Sequence, residues 1–177
     1  FGDVNNDGRD DIFVAKGNVE QMPDAAMRDP NSLLLQDRDG RFAEAAAQAG
    51  IASMARGRGA ALVDLNADGA LDLAVVNRRA PLEIYQNTGG HGAWITVALR
   101  GPAPNTEAFG AFVEVRGPEG IQRREITRGG GHASGAAVPE HFGLGSAETV
   151  DVRVLWPDGG ETPWQTVIPR QHLVLLR

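Results

Sequence analysis

The chain has 177 residues, of which 42% are hydrophobic, and its 17 basic and 23 acidic side chains give a formal net charge of -6. A chain of this length can bury one good core or two small ones, and no apolar run is long enough to predict a membrane-spanning helix. The absence of cysteine excludes disulfides and thiolate metal sites, and the lack of a basic cluster argues against a nucleic-acid partner.

Two nine-residue segments, residues 3–11 and 64–72, share the pattern D-x-N-x-D-G-x-x-D. Oxygen side chains at positions 1, 3, 5 and 9, a backbone carbonyl at position 7 and a turning glycine at position 6 are what Ca²⁺ requires of a short loop. The alternative is that Asp-Gly and Asn-x-Asp only mark tight turns between strands. The predicted calcium ligands are Asp3, Asn5, Asp7, the carbonyl of Arg9 and Asp11 in the first loop, and Asp64, Asn66, Asp68, the carbonyl of Ala70 and Asp72 in the second.

Charge is concentrated in these two loops. Seven of the 23 acidic residues lie there, and leaving them out changes the formal net charge from -6 to +1. Converging carboxylates repel one another, so such a loop favours a bound cation. An EF-hand is not expected, because its twelfth position is a glutamate that leads into a helix, whereas Val14 and Val75 stand there in β-type runs.

The sequence around the two loops repeats at a spacing of 61 residues. Strands are predicted after each loop at 12–15 and 73–76, and second strands at 32–36 and 81–86. Aligning Gln36 with Gln86 implies an insertion of 11 residues in the first copy, within the exposed stretch 16–30. Residues 59–63 form the predicted strand that enters the second loop. Its counterpart in the first copy would precede Phe1, so the chain is expected to begin inside a repeat, without its targeting segment.

Repeats of this size, each a small antiparallel sheet, are typical of β-propeller blades. Two blades form only an incomplete ring, so further blades are expected from preceding sequence or from another chain. After Gly92 the pattern changes to short strands separated by Gly and Pro turns, which predicts a small β-sandwich. The expected fold is therefore all-β, with two calcium-loop blades in residues 1–92 and the sandwich in 93–177. The strands predicted in the sandwich are 94–100, 111–116, 121–127, 150–155, 166–168 and 173–176.

Several motifs together are specific to one known combination of domains. In the repeats they are segments 2–8, 11–15 and 56–64, and after them Asn105, 109–111, 129–131, Ser134, His-Phe-Gly-Leu-Gly at 141–145 and Val-Leu-Trp-Pro-Asp-Gly at 154–159. On these motifs, nearly the whole chain resembles proteins that join FG-GAP/VCBS repeats to a C-terminal ASPIC/UnbV domain. The resemblance implies calcium-binding propeller blades like those of integrin α subunits, with metal roles for the Asp and Asn side chains named above. His132 and Ala133 depart from the family pattern, which has an aromatic residue followed by leucine.

No catalytic residues are predicted. His132 and Ser134 come nearest to a base and nucleophile, but they lack the G-x-S-x-G pattern and no orienting acid is evident. His141, beside a predicted Gly-Leu-Gly turn, is interpreted as a structural histidine. Trp156 and Trp164 are interpreted as packing across a hairpin, with a sugar-stacking platform as the alternative.

The sequence thus predicts a non-enzymatic, calcium-stabilised, secreted or cell-surface module for adhesion, recognition or assembly, with a protein or carbohydrate partner. One alternative is part of an enzyme acting on a polysaccharide or metabolite, whose catalytic groups lie on further N-terminal blades. Another is a self-assembling structural protein that pairs through open sheet edges.

Overall fold

The computed structural model describes residues 1–18, 20, 22–23, 27–89, 92–131 and 134–177. The strands found in these ranges confirm the all-β expectation. No helical segment among these residues combines the length and hydropathy that a bilayer crossing requires. The chain divides into two units. The first comprises Phe1–Val4, Arg9–Gly89 and Gly130–Gly135, and the second comprises Asn5–Gly8, Gly90–Gly129 and Ala136–Arg177.

The first unit contains two three-stranded antiparallel sheets, one for each repeat. A two-stranded antiparallel sheet, β10 (Gly130–Gly131) paired with β11 (Ser134–Gly135), belongs to the same unit. The strands of the first sheet are β1 (Ile12–Val14), β2 (Ser32–Gln36) and β3 (Phe42–Glu44), and those of the second are β4 (Gly57–Val63), β5 (Asp72–Asn77) and β6 (Glu83–Tyr85).

Both repeat sheets carry apolar side chains on both faces, and only one face of each contributes to their common core. That core contains Leu33 from β2 and Leu73 and Val75 from β5, all at most 6% exposed. On the opposite face of the second sheet, Val76 and Ile84 are 55% and 59% exposed. Because both faces of each sheet carry hydrophobic residues, the sequences of the strands are continuous apolar runs rather than alternating ones.

Strand register shows which residues of the two repeats correspond. Ile12 and Leu73 each follow the last aspartate of their loop. Ile12 pairs with Leu34, and Leu73 pairs with Tyr85, so Leu34 and Tyr85 occupy equivalent positions in the two repeats. Counting on from these pairs places Gln36 opposite Asn87 in the alignment of the repeats. The alignment of Gln36 with Gln86 was wrong by one residue, and the first repeat contains ten extra residues rather than 11.

The base of this insertion is closed by Lys16. Its backbone N–H donates to Asn31 Oδ1 at 2.9 Å, and its ammonium lies 2.9 Å from Asp29 Oδ1. Asn31 is 1% exposed. Part of the insertion lies outside the described residues, and Met22 and Pro23 within it are exposed.

The second unit contains two further sheets. One has the order β12-β7-β15, in which β7 and β15 run parallel, and the other has the order β14-β13-β8-β9 and is antiparallel throughout. Buried side chains of both sheets, such as Ile95, Val113, Phe142 and Val154, form one hydrophobic cluster. The strands are β7 (Ala93–Arg100), β8 (Phe112–Gly117), β9 (Gly120–Glu125), β12 (Glu140–Gly145), β13 (Val150–Leu155), β14 (Gln165–Val167) and β15 (Gln171–Leu176).

The His-Phe-Gly-Leu-Gly segment is a strand, which corrects the expected Gly-Leu-Gly turn. It forms most of β12 and pairs with β7, with a bulge between Gly143 and Gly145. Phe142 and Leu144 are in the core, and alternation places His141 and Gly143 on the other face. The glycines therefore serve a strand and its bulge, and His141, 8% exposed, lies within the sheet.

Side chains of β9 satisfy the free edge of β12. Gln122 Nε2 donates to the carbonyl of Gly143 at 2.7 Å, and Arg124 Nε donates to the carbonyl of His141 at 3.2 Å. These carbonyls would otherwise be open to pairing with another strand. These two hydrogen bonds thus connect the two sheets of the second unit at the edge formed by β9 and β12.

Candidate metal centres

The two aspartate loops adopt the same backbone conformation. The glycine at position 6 has a left-handed φ in both, 90° for Gly8 and 85° for Gly69, which confirms the turning role predicted for it. Position 4 is left-handed as well, with φ of 58° for Asn6 and 61° for Ala67. The sequence did not predict this second reversal, because Ala67 has no intrinsic preference for it.

The aspartate at position 9 closes each loop. Asp11 and Asp72 are 0% and 2% exposed. Each accepts one backbone N–H from loop position 2 and one from a later residue of the same repeat, Gln36 at the end of β2 or Asn87 two residues after β6. The donors to Asp11 are Val4 at 3.0 Å and Gln36 at 2.9 Å, and those to Asp72 are Leu65 at 3.0 Å and Asn87 at 2.8 Å. Both oxygens of each carboxylate therefore fix the loop to the sheet that follows it.

In the second loop, the other side-chain oxygens point at the loop's own amides. Asp64 accepts N–H bonds from Asp68 at 3.1 Å and from Gly69 at 2.9 Å. Asn66 Oδ1 also accepts from Asp68, at 3.1 Å, and Asp68 Oδ1 accepts from Ala70 at 2.9 Å. The oxygens at positions 1, 3 and 5 are thus drawn towards the same short stretch of backbone.

The first loop is divided between the two units, its ends belonging to the first and its tip, Asn5–Gly8, to the second. At the tip, Asn5 Oδ1 accepts the N–H of Asp7 at 3.1 Å, as Asn66 does in the second loop. The carbonyl of Asn6 accepts from the N–H of Gly145 at 2.8 Å. A Cβ on Gly92 would lie 2.0 Å from the same carbonyl oxygen, so glycine is required there.

The chemistry of the donors fits a hard cation, because every predicted ligand atom is an oxygen. Within the described ranges, no three His, Asp or Glu side chains form a group that would hold a metal by themselves. The predicted ligand set of each loop includes the Asn side chain and a backbone carbonyl beside the carboxylates. The ten ligand assignments stay predictions.

Asn87, which is not among the predicted ligands, connects the two loops. Its Nδ2 donates to the carbonyl of Val4 in the first loop at 2.7 Å and to that of Leu71 in the second at 3.2 Å. Its Oδ1 accepts the N–H of Gly89 at 2.9 Å. The signal that could have found it is the corrected repeat alignment, which places Asn87 at the position whose N–H binds the loop aspartate.

The histidine and tryptophan candidates identified from the sequence do not belong to the aspartate loops. His132 lies outside the described residues, so its relation to Ser134 stays open. Trp156 is 4% exposed and belongs to the core of the second unit, which rules out the sugar-stacking platform. Trp164 lies under the guanidinium groups of Arg116 and Arg153, 4.4 and 4.6 Å from its ring centre.

Two protein-family models match different parts of the chain. Residues 3–75 match the family model of the FG-GAP-like repeat, and residues 101–177 match that of ASPIC and UnbV. The chain therefore combines an FG-GAP-like repeat region with an ASPIC/UnbV domain, and the resemblance identified from its motifs is confirmed.

Cartilage acidic protein 1 is similar to this chain in three vertebrates. The human, Mus musculus and Xenopus tropicalis proteins are each 34% identical over an alignment of 116 residues, and the match covers 59% of this chain. The match covers 16% of the human protein and 17% of the other two, so the chain spans about one sixth of the length of these relatives.

Proposed function

We propose that this chain is a calcium-binding, non-catalytic extracellular module for recognition, adhesion or assembly, in which two propeller-type blades precede a β-sandwich. The domain combination and the similarity to cartilage acidic protein 1 support the extracellular role. The mutual core of the two repeat sheets supports the blades. The common cluster of the two later sheets supports the sandwich.

The observation that carries the calcium proposal is the identical closure of the two loops by Asp11 and Asp72. This closure leaves oxygen side chains at positions 1, 3 and 5 on a tightly turned backbone in both repeats. Two independent segments with one conformation and one donor set favour a common ligand over a coincidence of turns. Calcium would neutralise each loop, and its binding free energy would add to the folding free energy.

Calorimetric titration of Ca²⁺ into chelator-stripped protein, with parallel thermal melts, tests this proposal. We expect about two equivalents to bind and the melting temperature to rise, since a ligand at 100 times its Kd stabilises the folded state by about 2.7 kcal/mol. Absence of binding, or binding with no change in melting temperature, would contradict a structural calcium role.

Asp68→Ala sharpens the test at one loop. We expect it to remove about one equivalent of Ca²⁺ and to lower the melting temperature in calcium but only slightly in chelator, because the proposed ligand role of Asp68 is confined to the second loop. In chelator the variant loses the hydrogen bonds that Asp68 accepts from Asn66 and Ala70. Asp39→Ala, at an exposed turn outside both loops, is the matched control and should change neither. Equal destabilisation by Asp68→Ala in calcium and in chelator would indicate a bare turn.

The proposed partners of the repeat region are further blades, from the same protein or from another chain. The exposed apolar face formed by Val76 and Ile84 supports this, because a blade buries both faces against its neighbours. Ile84→Lys should abolish any concentration-dependent growth in light scattering if copies associate through this face. Unchanged association in that variant would assign the contact to another surface.

A further inference from the structure

The second unit contains a cleft that is separate from the two metal loops. Its volume is about 100 Å³, and it is bordered by the end of β7, by the segments around Phe109 and Arg128, and by residues 137–140. Phe109 and Val138 are 38% and 43% exposed on its wall. The cleft therefore combines an apolar wall with charged side chains and has room for a small organic group.

A carboxylate enters this cleft from a strand position that otherwise faces the core. Glu140 begins β12 and pairs with Val97, which is fully buried. It alternates in phase with Phe142 and Leu144, both in the hydrophobic cluster. Glu140 thus places a charge where the two sheets open to solvent.

Among the described residues, the charged groups near Glu140 pair with one another rather than with its carboxylate. Glu107 accepts a hydrogen bond from Arg100 at 2.9 Å and lies 3.9 Å from Arg128. The guanidinium of Arg128 also lies 5.0 Å from the centre of the Phe109 ring. Burial raises the pKa of Glu140, and Arg124 opposes this shift through its charge, without a hydrogen bond to the carboxylate.

We propose that this cleft binds an organic cation on an aliphatic stem, an alkylammonium group, which pairs with Glu140 while its stem packs on Phe109 and Val138. Arg100 and Arg128 do not exclude it, because both lie against Glu107, and Arg124 acts on Glu140 only through its charge. An anion in the cleft would meet the like charge of Glu140 and would compete with Glu107 for Arg100 and Arg128. The same chemistry is found in a free amine and in a lysine side chain of a protein partner.

Titration of the labelled full chain with n-butylammonium, followed by backbone amide chemical shifts, tests this binding. We expect shifts at residues 97–100 and 137–140, and a loss of affinity of about tenfold or more in Glu140→Gln, the size of one charge-assisted hydrogen bond. Glu125→Gln, an exposed glutamate of the same unit, is the matched control and should bind normally. Undiminished binding by Glu140→Gln, or shifts only outside the cleft, would overturn the proposal.

Two comparison ligands define the chemistry. Butyrate and n-butanol have similar stems without the positive charge, and we expect neither to shift the cleft amides at the concentration where n-butylammonium does. Equal or tighter binding of either would overturn the cationic assignment. Blocked Gly-Lys-Gly peptide then separates the sources, since tighter binding than that of n-butylammonium indicates a protein ligand and weaker binding indicates a free amine.

The dependence of unfolding stability on pH tests whether the Glu140→Gln variant folds. The folded protein holds the Glu140 proton more tightly than the unfolded chain does, so the charged residue lowers stability as pH rises above its ordinary pKa of 4.5. Arg124, Arg100, Arg128 and Glu107 are the charged groups around it and stay unchanged. Glu140→Gln should therefore be more stable than the parent at neutral pH and similar to it below pH 4.5. Addition of chelator should leave amine binding unchanged, which separates this proposal from the calcium proposal.

Discussion

The two aspartate loops share their closure but differ at the tip. Asp11 and Asp72 make equivalent hydrogen bonds, and the left-handed positions coincide. At the tip, however, Asn6 is fully buried, whereas its counterpart Ala67 in the second loop is exposed. The comparison teaches that the repeated motif determines the closed backbone, while the position of each loop in the chain determines its surroundings.

The largest expected effect comes from breaking the shared closure. Asp11→Ala and Asp72→Ala each leave two amides without their carboxylate acceptor, which costs about 3 kcal/mol or more of unfolding free energy at a buried site. Urea denaturation in chelator measures this loss without any metal contribution. A loss below about 0.5 kcal/mol, the range of ordinary surface substitutions, would mean that the loop concerned is held by its tip instead.

A smaller effect is expected from separating the two loops. Asn87→Ala removes the hydrogen bonds to Val4 and Leu71 but keeps the backbone N–H that binds Asp72, so we expect a loss of about 1–2 kcal/mol. Asn87→Asp should destabilise more, since a carboxylate faces the same two carbonyls without a donor. The exposed neighbour Thr88 provides the control, and Thr88→Ala should change the urea midpoint little. If Asn87→Ala behaves like that control, the loops are independent.

The smallest expected effect concerns the residue type at loop position 4, which is Asn6 in the first loop and Ala67 in the second. Ala67→Asn introduces the residue type of the first loop at a left-handed position, which asparagine tolerates better than alanine, and should stabilise the protein by about 0.5–1 kcal/mol. Ala80→Asn, at an exposed turn without a positive φ, is the matched control. Thermal melts in chelator compare the two. No gain for Ala67→Asn would show that the second loop relaxes around its alanine.

Sequence reasoning was most successful where residue type and local conformation are directly linked. The alternating runs predicted β13 with its observed bounds, and the strand 32–36 coincides with β2. The Asp-Gly steps predicted the left-handed glycine in each loop. These features depend on neighbours along the chain, so the order of residues is sufficient to find them.

Features that depend on distant partners were missed. The glycines of β12 suggested a turn, because the sequence does not show the pairing with β7 that extends them. The role of Asn87 depends on carbonyls 83 and 16 residues away along the chain. The cleft at Glu140 forms only where several segments meet.

The ten extra residues of the first repeat show that loop closure and connection length are independent of each other. Asp11 binds Gln36 across 25 residues as Asp72 binds Asn87 across 15, and Lys16 with Asn31 and Asp29 closes the insertion at its base. The cost of a longer closed segment grows only slowly with its length. A reporter peptide grafted between Met22 and Pro23 should therefore leave the first aspartate loop intact, which makes this connection a natural attachment point for labelling the protein.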